Sequence, residues 1–137
     1  MVTKKAIETF LQNEFPQVSF IIECVGEKSA TIRKEINHDH LRPGGTVSGP
    51  VLMELADVAL YVAILSEIGL VPLAVTTSLN INFLRKPSAQ KDLVAKCHLI
   101  KVGKLLAIGE VSIYSEGSVE VVAHAVGTYA IPPASKI

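Results

Sequence analysis

Residues 49–68 read Gly49-Pro-Val-Leu-Met-Glu-Leu-Ala-Asp-Val-Ala-Leu-Tyr-Val-Ala-Ile-Leu-Ser-Glu-Ile68, and their reading decides the fold. Of the eighteen residues from Val51 to Ile68, thirteen are Val, Leu, Met, Ala or Ile. That length exceeds a buried strand, and a helix apolar nearly all round is a buried one. Pro50 suits a first helical position, where its missing N–H costs nothing, and Gly69 is a stop signal. Glu54, Asp57, Ser66 and Glu67 interrupt the run, and a carboxylate near a bilayer centre is costly, so the segment reads as a core helix over about 50–68 and not as a membrane span.

The carboxylates on this helix carry the chemical information. Glu54 and Asp57 are three apart and share a face, and Tyr61 continues the stripe four residues on. Acids in the first turns are also favoured by the helix dipole, but Asp57 lies about two turns in, where that effect has faded. A carboxylate on a buried helix must be paired, hydrogen-bonded or functional. Upstream, Gly44, Gly45 and Gly49 let backbone approach a ligand closely. The Gly49 and Val51 amides, free at the helix start, can polarise a carbonyl or hold an anion. A carbonyl held there with an acid further along the helix is a setting for acyl transfer.

Outward from the helix the period changes to two. Leu73–Leu84, Leu93–Val102, Leu105–Tyr114 and Val119–Ala130 alternate as strands, with turns at Val102-Gly103-Lys104 and Glu116-Gly117-Ser118. Before the helix, Thr3 can cap a short amphipathic helix over about 3–15, with Ala6, Ile7, Phe10 and Leu11 on its apolar face. Val18–Val25 and Ala30–Ile36 then form a hairpin about Gly26-Glu27-Lys28, and a polar loop runs from Asn37 through Gly45. One helix, two strands, a long helix and four strands give an α+β fold in which helices pack on one face of an antiparallel sheet, as a single domain over 1–137.

Composition narrows the function. The 137 residues hold 13 Lys+Arg against 13 Asp+Glu, so no broad basic face for nucleic acid is expected. With 49% hydrophobic residues and 19% charged ones the chain is not disordered, and its apolar excess could serve a core, a membrane or a partner surface. Met1-Val2-Thr3-Lys4-Lys5 leads into no signal-like apolar stretch, and a cytoplasmic location is expected. Cys24 and Cys97 stand alone in strand-like runs and read as small buried hydrophobes. His98 and His124 have no second ligand at metal spacing, so no metal or other cofactor is expected.

The run His40-Leu-Arg-Pro-Gly-Gly-Thr-Val-Ser-Gly-Pro-Val-Leu-Met-Glu-Leu-Ala-Asp57, followed by Thr77-Ser-Leu-Asn-Ile-Asn-Phe-Leu-Arg85-Lys-Pro87, resembles the hotdog-fold thioesterases of the phenylacetic-acid-degradation (PaaI-like) type. The resemblance covers the chain after the first helix and implies a long central helix wrapped by an antiparallel sheet. It implies an acyl-CoA thioester substrate, Asp57 as nucleophile or general base, and Gly49 as the amide that polarises the carbonyl. A strand hydroxyl supplied by a partner subunit falls on Thr76, with Thr77 and Ser78 beside it. It also implies a homodimer with the site between subunits, and dimers that pair into tetramers.

The chain departs from that family at two places: Ser48 stands where a His is usual, and Arg42 where an Asn is usual. Ser48 keeps a hydrogen-bonding group next to Gly49. Val51, Arg42, Arg85 and Lys86 are the accompanying candidates for substrate contact, the cations for CoA phosphates. Two other functions fit the same residues. His40 and Glu54 have a spacing similar to the acid–base pair of hotdog β-hydroxyacyl dehydratases. The chain can also be read as an acyl-CoA binding protein without turnover.

Overall fold

The computed structural model describes residues 2–17 and 19–133. Helix α1 (Lys4–Glu14) starts where the Thr3 hydroxyl accepts the Ala6 N–H at 3.2 Å, and it buries Ile7 and Leu11. Strands β1 (Ile21–Gly26) and β2 (Ser29–Lys34) form the expected hairpin. β1 begins later than the alternation predicts. Ser19 and Phe20 stay outside the ladder, with the Ser19 carbonyl accepting from Lys34 Nζ at 2.7 Å, and Val18 lies outside the described residues.

A bulge between Ile22 and Cys24 corrects a second expectation. Ile22 pairs with inward-facing Ile32, but Cys24 pairs with Thr31, so its side chain is turned out and exposed, while Cys97 is buried. The loop after β2 is more structured than its composition suggests. It holds one 3₁₀ turn (His38–His40) and a miniature hairpin of β3 (Leu41–Arg42) and β4 (Thr46–Val47). Gly44 and Gly45 make that turn at φ values of 98° and 76°, a region closed to most side chains.

Helix α2 (Gly49–Ile68) is followed by four long strands: β5 (Val75–Phe83), β6 (Leu93–Val102), β7 (Leu106–Ser115) and β8 (Val121–Ala130). They join β1 and β2 in one antiparallel sheet of order β1-β2-β6-β7-β8-β5. β7 and β8 start one and two residues later than the alternation suggests. The turn after β7 closes through Ser118 N–H donating to the Ser115 carbonyl at 3.0 Å, and Val119 is left 91% exposed. Among the described residues no helix is long and apolar enough to cross a membrane.

The sheet wraps α2, whose residues from Ala59 to Ser66 are all buried. Two glycines set how closely helix and sheet meet. Gly109 and Gly127 face each other across β7 and β8, and Leu60 fills the space above both. A Cβ on Gly127 would lie 2.4 Å from Leu60 Cδ1, and one on Gly109 2.8 Å from Leu60 Cδ2. This seat fixes the middle of α2, and Asp57 lies less than one turn away from it. β5 is a sheet edge, paired only with β8, and it is exposed along most of its nine residues.

Candidate active site

Asp57 sits where α2 emerges from its apolar surroundings. Its Oδ1 accepts two hydrogen bonds, from Thr76 Oγ1 at 2.6 Å and from the Tyr129 hydroxyl at 2.8 Å. The same tyrosine hydroxyl lies 3.1 Å from the Asp57 backbone carbonyl. Thr76 belongs to the same chain as the acid it touches, whereas the family resemblance places that hydroxyl on a partner. The reason is the connection after α2. Residues 69–74 carry the chain back along the helix, and the Tyr61 hydroxyl donates to the Val71 and Pro72 carbonyls at 3.3 and 3.4 Å. That pin holds the connection against α2 one turn beyond Asp57 and delivers the start of β5 to the acid.

Aromatic rings back the acid. Tyr129 is only 4% exposed and stacks on Tyr61 with centroids 5.9 Å apart and planes at 22°. Phe15, at the end of α1, meets Tyr61 edge-on at 5.6 Å. Burial pushes the Tyr61 phenol up to about 12, with the Glu14 charge adding to it. Burial first, then the negative charge of Asp57, raises the Tyr129 phenol well above its ordinary range, so it remains an O–H donor.

Asp57 opens on a cavity of about 500 Å³, within the size range of small-molecule sites. Glu54, Asp57 and Tyr61, the stripe read from the sequence, all line it. Its far walls come from the amino-terminal segment through Leu11, Phe15 and Phe20. A larger groove of about 590 Å³ between α1 and β1 is bordered by Lys5, Glu8 and Gln12 and does not reach the acid.

The other predicted residues lie elsewhere. Ser48 is the N-cap of α2 and makes no side-chain capping bond. Neither the Gly49 nor the Val51 amide has an acceptor among the described residues. Gly49 faces the half-exposed ring of Phe83 at the far end of β5. Eight residues of helix separate Gly49 from Asp57, a rise of about 12 Å. Thr77 Oγ1 donates to the Thr128 carbonyl at 3.2 Å, and Ser78 is exposed on β5. Arg85 is held by Glu120 at 2.6 Å and by the Val121 carbonyl at 3.0 Å, while Arg42 and Lys86 are exposed.

The alternative pair does not assemble. His40 Nδ1 accepts the Asn37 N–H at 2.9 Å, and the Asn37 side chain caps the 3₁₀ turn in return. His40 is therefore occupied as a cap, and it does not border the cavity that Glu54 lines. Tyr129 is the residue of this site that the sequence reading missed. A tyrosine in a period-two run looks like a core aromatic, and its partner lies 72 positions away.

Residues 44–122 match the model of the thioesterase superfamily. The fold is similar to that of a proposed thioesterase from Silicibacter sp. TM1040, at 40% identity and a TM-score of 0.90, over 97% of this chain and 94% of that one. It is also similar to a mutant form of the phenylacetic acid degradation protein PaaI from Thermus thermophilus, at 25% identity and a TM-score of 0.74, over 85% of this chain and 96% of that one. A hypothetical thioesterase from Streptococcus pneumoniae, solved with coenzyme A, shares the fold at 19% identity and a TM-score of 0.76, over 94% and 96% of the two chains. None of the curated proteins matches the chain by sequence. A long helix seated in an antiparallel sheet, an acid at the mouth of an apolar cavity and a family match across the whole of α2 lead to one assignment: the chain belongs to the thioesterase superfamily and has its hotdog fold.

Proposed function

We propose that the protein hydrolyses acyl-CoA thioesters to a free acid and CoA. The observation that carries this is Asp57. It is a carboxylate on an otherwise apolar helix, fixed through one oxygen and open to a cavity of about 500 Å³. As general base it takes a proton from water while the water oxygen bonds to the thioester carbon. The carbon–sulfur bond then breaks, and the sulfur leaves with the proton as the CoA thiol. As nucleophile its carboxylate would bond to that carbon while the carbon–sulfur bond breaks and CoA leaves as the thiolate. Water would then cleave the resulting anhydride, releasing the acid and the Asp57 carboxylate, and the water's proton would go to the thiolate.

A carbonyl beside Asp57 also needs a donor for the charge that develops on its oxygen. The Gly49 amide of the same chain, about 12 Å along the helix, is too far to serve. The edge strand β5 offers a way to supply it. Antiparallel pairing of two β5 edges about Leu79 would lay Phe83 of a second copy beside Val75 and Thr76. Gly49 faces that Phe83, so its free amide would approach the first copy's Asp57. Such pairing would also satisfy an exposed strand edge that soluble proteins do not leave open. In this reading Thr76 steadies the acid, Ser48 flanks the donor amide, and Arg42 and Lys86 meet the CoA phosphates. The CoA-bound relative from S. pneumoniae supports the choice of acyl carrier.

The test is a panel of aryl, short and medium aliphatic acyl-CoAs with release of free thiol as the readout. Turnover by the wild type and its loss in Asp57→Ala are expected. No thiol release from any member of the panel, with ligand-induced thermal protection intact, would point instead to binding without turnover.

A further inference from the structure

We propose that Tyr129 is a positioning residue for the reacting acid: by holding Asp57 Oδ1 it dedicates the other carboxylate oxygen, Oδ2, to the reaction. The proposal rests on the thioesterase reading above and goes beyond it, since neither the sequence pattern nor the resemblance singles out this tyrosine.

Both donors that reach Asp57, Tyr129 and Thr76, end on the same oxygen. A carboxylate oxygen that already accepts two hydrogen bonds is a poorer base and a poorer nucleophile than its free neighbour. The two donors are not equivalent. Thr76 stands on an exposed edge strand and swings on one torsion. Tyr129 is buried on an interior strand of the sheet, and its hydroxyl also lies within reach of the Asp57 backbone carbonyl, so donor and acid share one reference frame. Its ring is fixed by stacking on Tyr61, which is itself pinned by Phe15 and by the Val71 carbonyl. The order Phe15, Tyr61, Tyr129, Asp57 therefore carries the rigidity of the core out to a side chain at the cavity mouth. A group held in its productive orientation before substrate arrives need not be ordered during the reaction.

The experiment compares wild type, Tyr129→Phe, Thr76→Val and Asp57→Asn. Tyr129→Phe keeps the ring and its stacking and removes only the hydroxyl. The expected result is a fall in kcat of about 10- to 100-fold, the range for losing a hydrogen bond to a charged group. KM should stay within about twofold, because no substrate contact is removed. A second readout does not depend on turnover. The buried Tyr129 hydroxyl should give a downfield, slowly exchanging proton resonance, absent in Tyr129→Phe and moved upfield in Asp57→Asn. Full kcat in a folded Tyr129→Phe, with wild-type turnover intact, would overturn the assignment alone. A wild type that turns over no acyl-CoA would overturn the thioesterase reading and this role with it, while the resonance would still report the pairing. A rise in KM equal to the loss in kcat/KM would show that Tyr129 binds substrate and does not position the acid.

Discussion

Asp57 and Gly49 stand on the same helix, yet one is held by its own chain through a single carboxylate oxygen and the other has an amide with no acceptor among the described residues. Around Asp57, two hydroxyls converge on one oxygen, and three aromatic rings stand behind them. Around Gly49, the amide has no acceptor among the described residues and the nearest ring, Phe83, is 51% exposed. If Asp57 is the reacting acid and the Gly49 amide the carbonyl donor, as proposed, a separation of about 12 Å along the helix leaves one chain with half a site. The difference teaches that folding of one chain holds Asp57 in place and leaves the Gly49 amide unengaged, which is the opening that the proposed pairing with a second copy would fill.

The sharpest way to break this contrast is to remove the acid. Asp57→Asn is nearly isosteric and leaves Tyr129 and Thr76 an acceptor oxygen. It should lower kcat by about 10²- to 10⁴-fold, the usual weight of a general base, with the melting temperature close to wild type. Full thiol release from Asp57→Asn would place the chemistry elsewhere.

The next variant attacks the other half. Ser78→Lys with Asn80→Lys sets like charges against each other if two β5 edges pair about Leu79, and like charges directly opposite are destabilising. Both positions are exposed, so the single chain should still fold. Sedimentation should show monomers, and hydrolysis should fall by about 10²-fold, as for an enzyme that loses one carbonyl donor. Monomers with full activity would show that one chain carries the whole site.

Just beyond Asp57 on the same helix lies the Leu60 seat on Gly109 and Gly127. Gly127→Ala puts a methyl group 2.4 Å from Leu60 Cδ1, with Leu79 and the Ser78 carbonyl blocking its retreat. The expected cost is about 1–3 kcal/mol of stability by denaturant unfolding, and kcat should fall as well, because α2 shifts under Asp57. Loss of stability with unchanged kcat would separate the helix seat from the site.

These residues also show what a sequence displays and what it hides. Asp57 is legible because it breaks a rule: a carboxylate in the middle of an apolar helix has to be accounted for by something nearby. The long strands are legible from their alternation, and α2 from its length and composition. A bulge is invisible to strict alternation, which is why Cys24 reads as buried and is exposed. The two-residue strands β3 and β4 are too short to carry a period. His40 suggests acid–base chemistry by type, but its role is decided by a three-residue capping box with Asn37. Tyr129 is hidden for the most general reason. Its importance comes from a contact between distant elements, and nothing local distinguishes it from any other aromatic of a core strand.

The smallest expected effect tests whether the aromatic rings behind Asp57 are as dry as their burial implies. Burial pushes the Tyr61 phenol, on α2, up to about 12 and the Cys97 thiol, on the inward face of β6, up to about 12. The ordinary values of the two groups are 10.0 and 9.0. Over that interval the folded chain keeps protons that the unfolded chain has released. Their contribution to stability is whole below about pH 9 and is lost as the pH rises toward 12. The melting temperature should therefore fall steadily across the alkaline range. Tyr61→Phe and Cys97→Ala should each melt lower at pH 8 yet lose less on going from pH 9 to pH 11, since each removes one of the groups that titrates. If Tyr61→Phe lost stability as steeply as the wild type, water would reach Tyr61 in the native state, while Cys97→Ala on strand β6 reports the same for the core of the sheet. The dry aromatic backing behind Asp57, and the contrast with Gly49 that depends on it, would then fail.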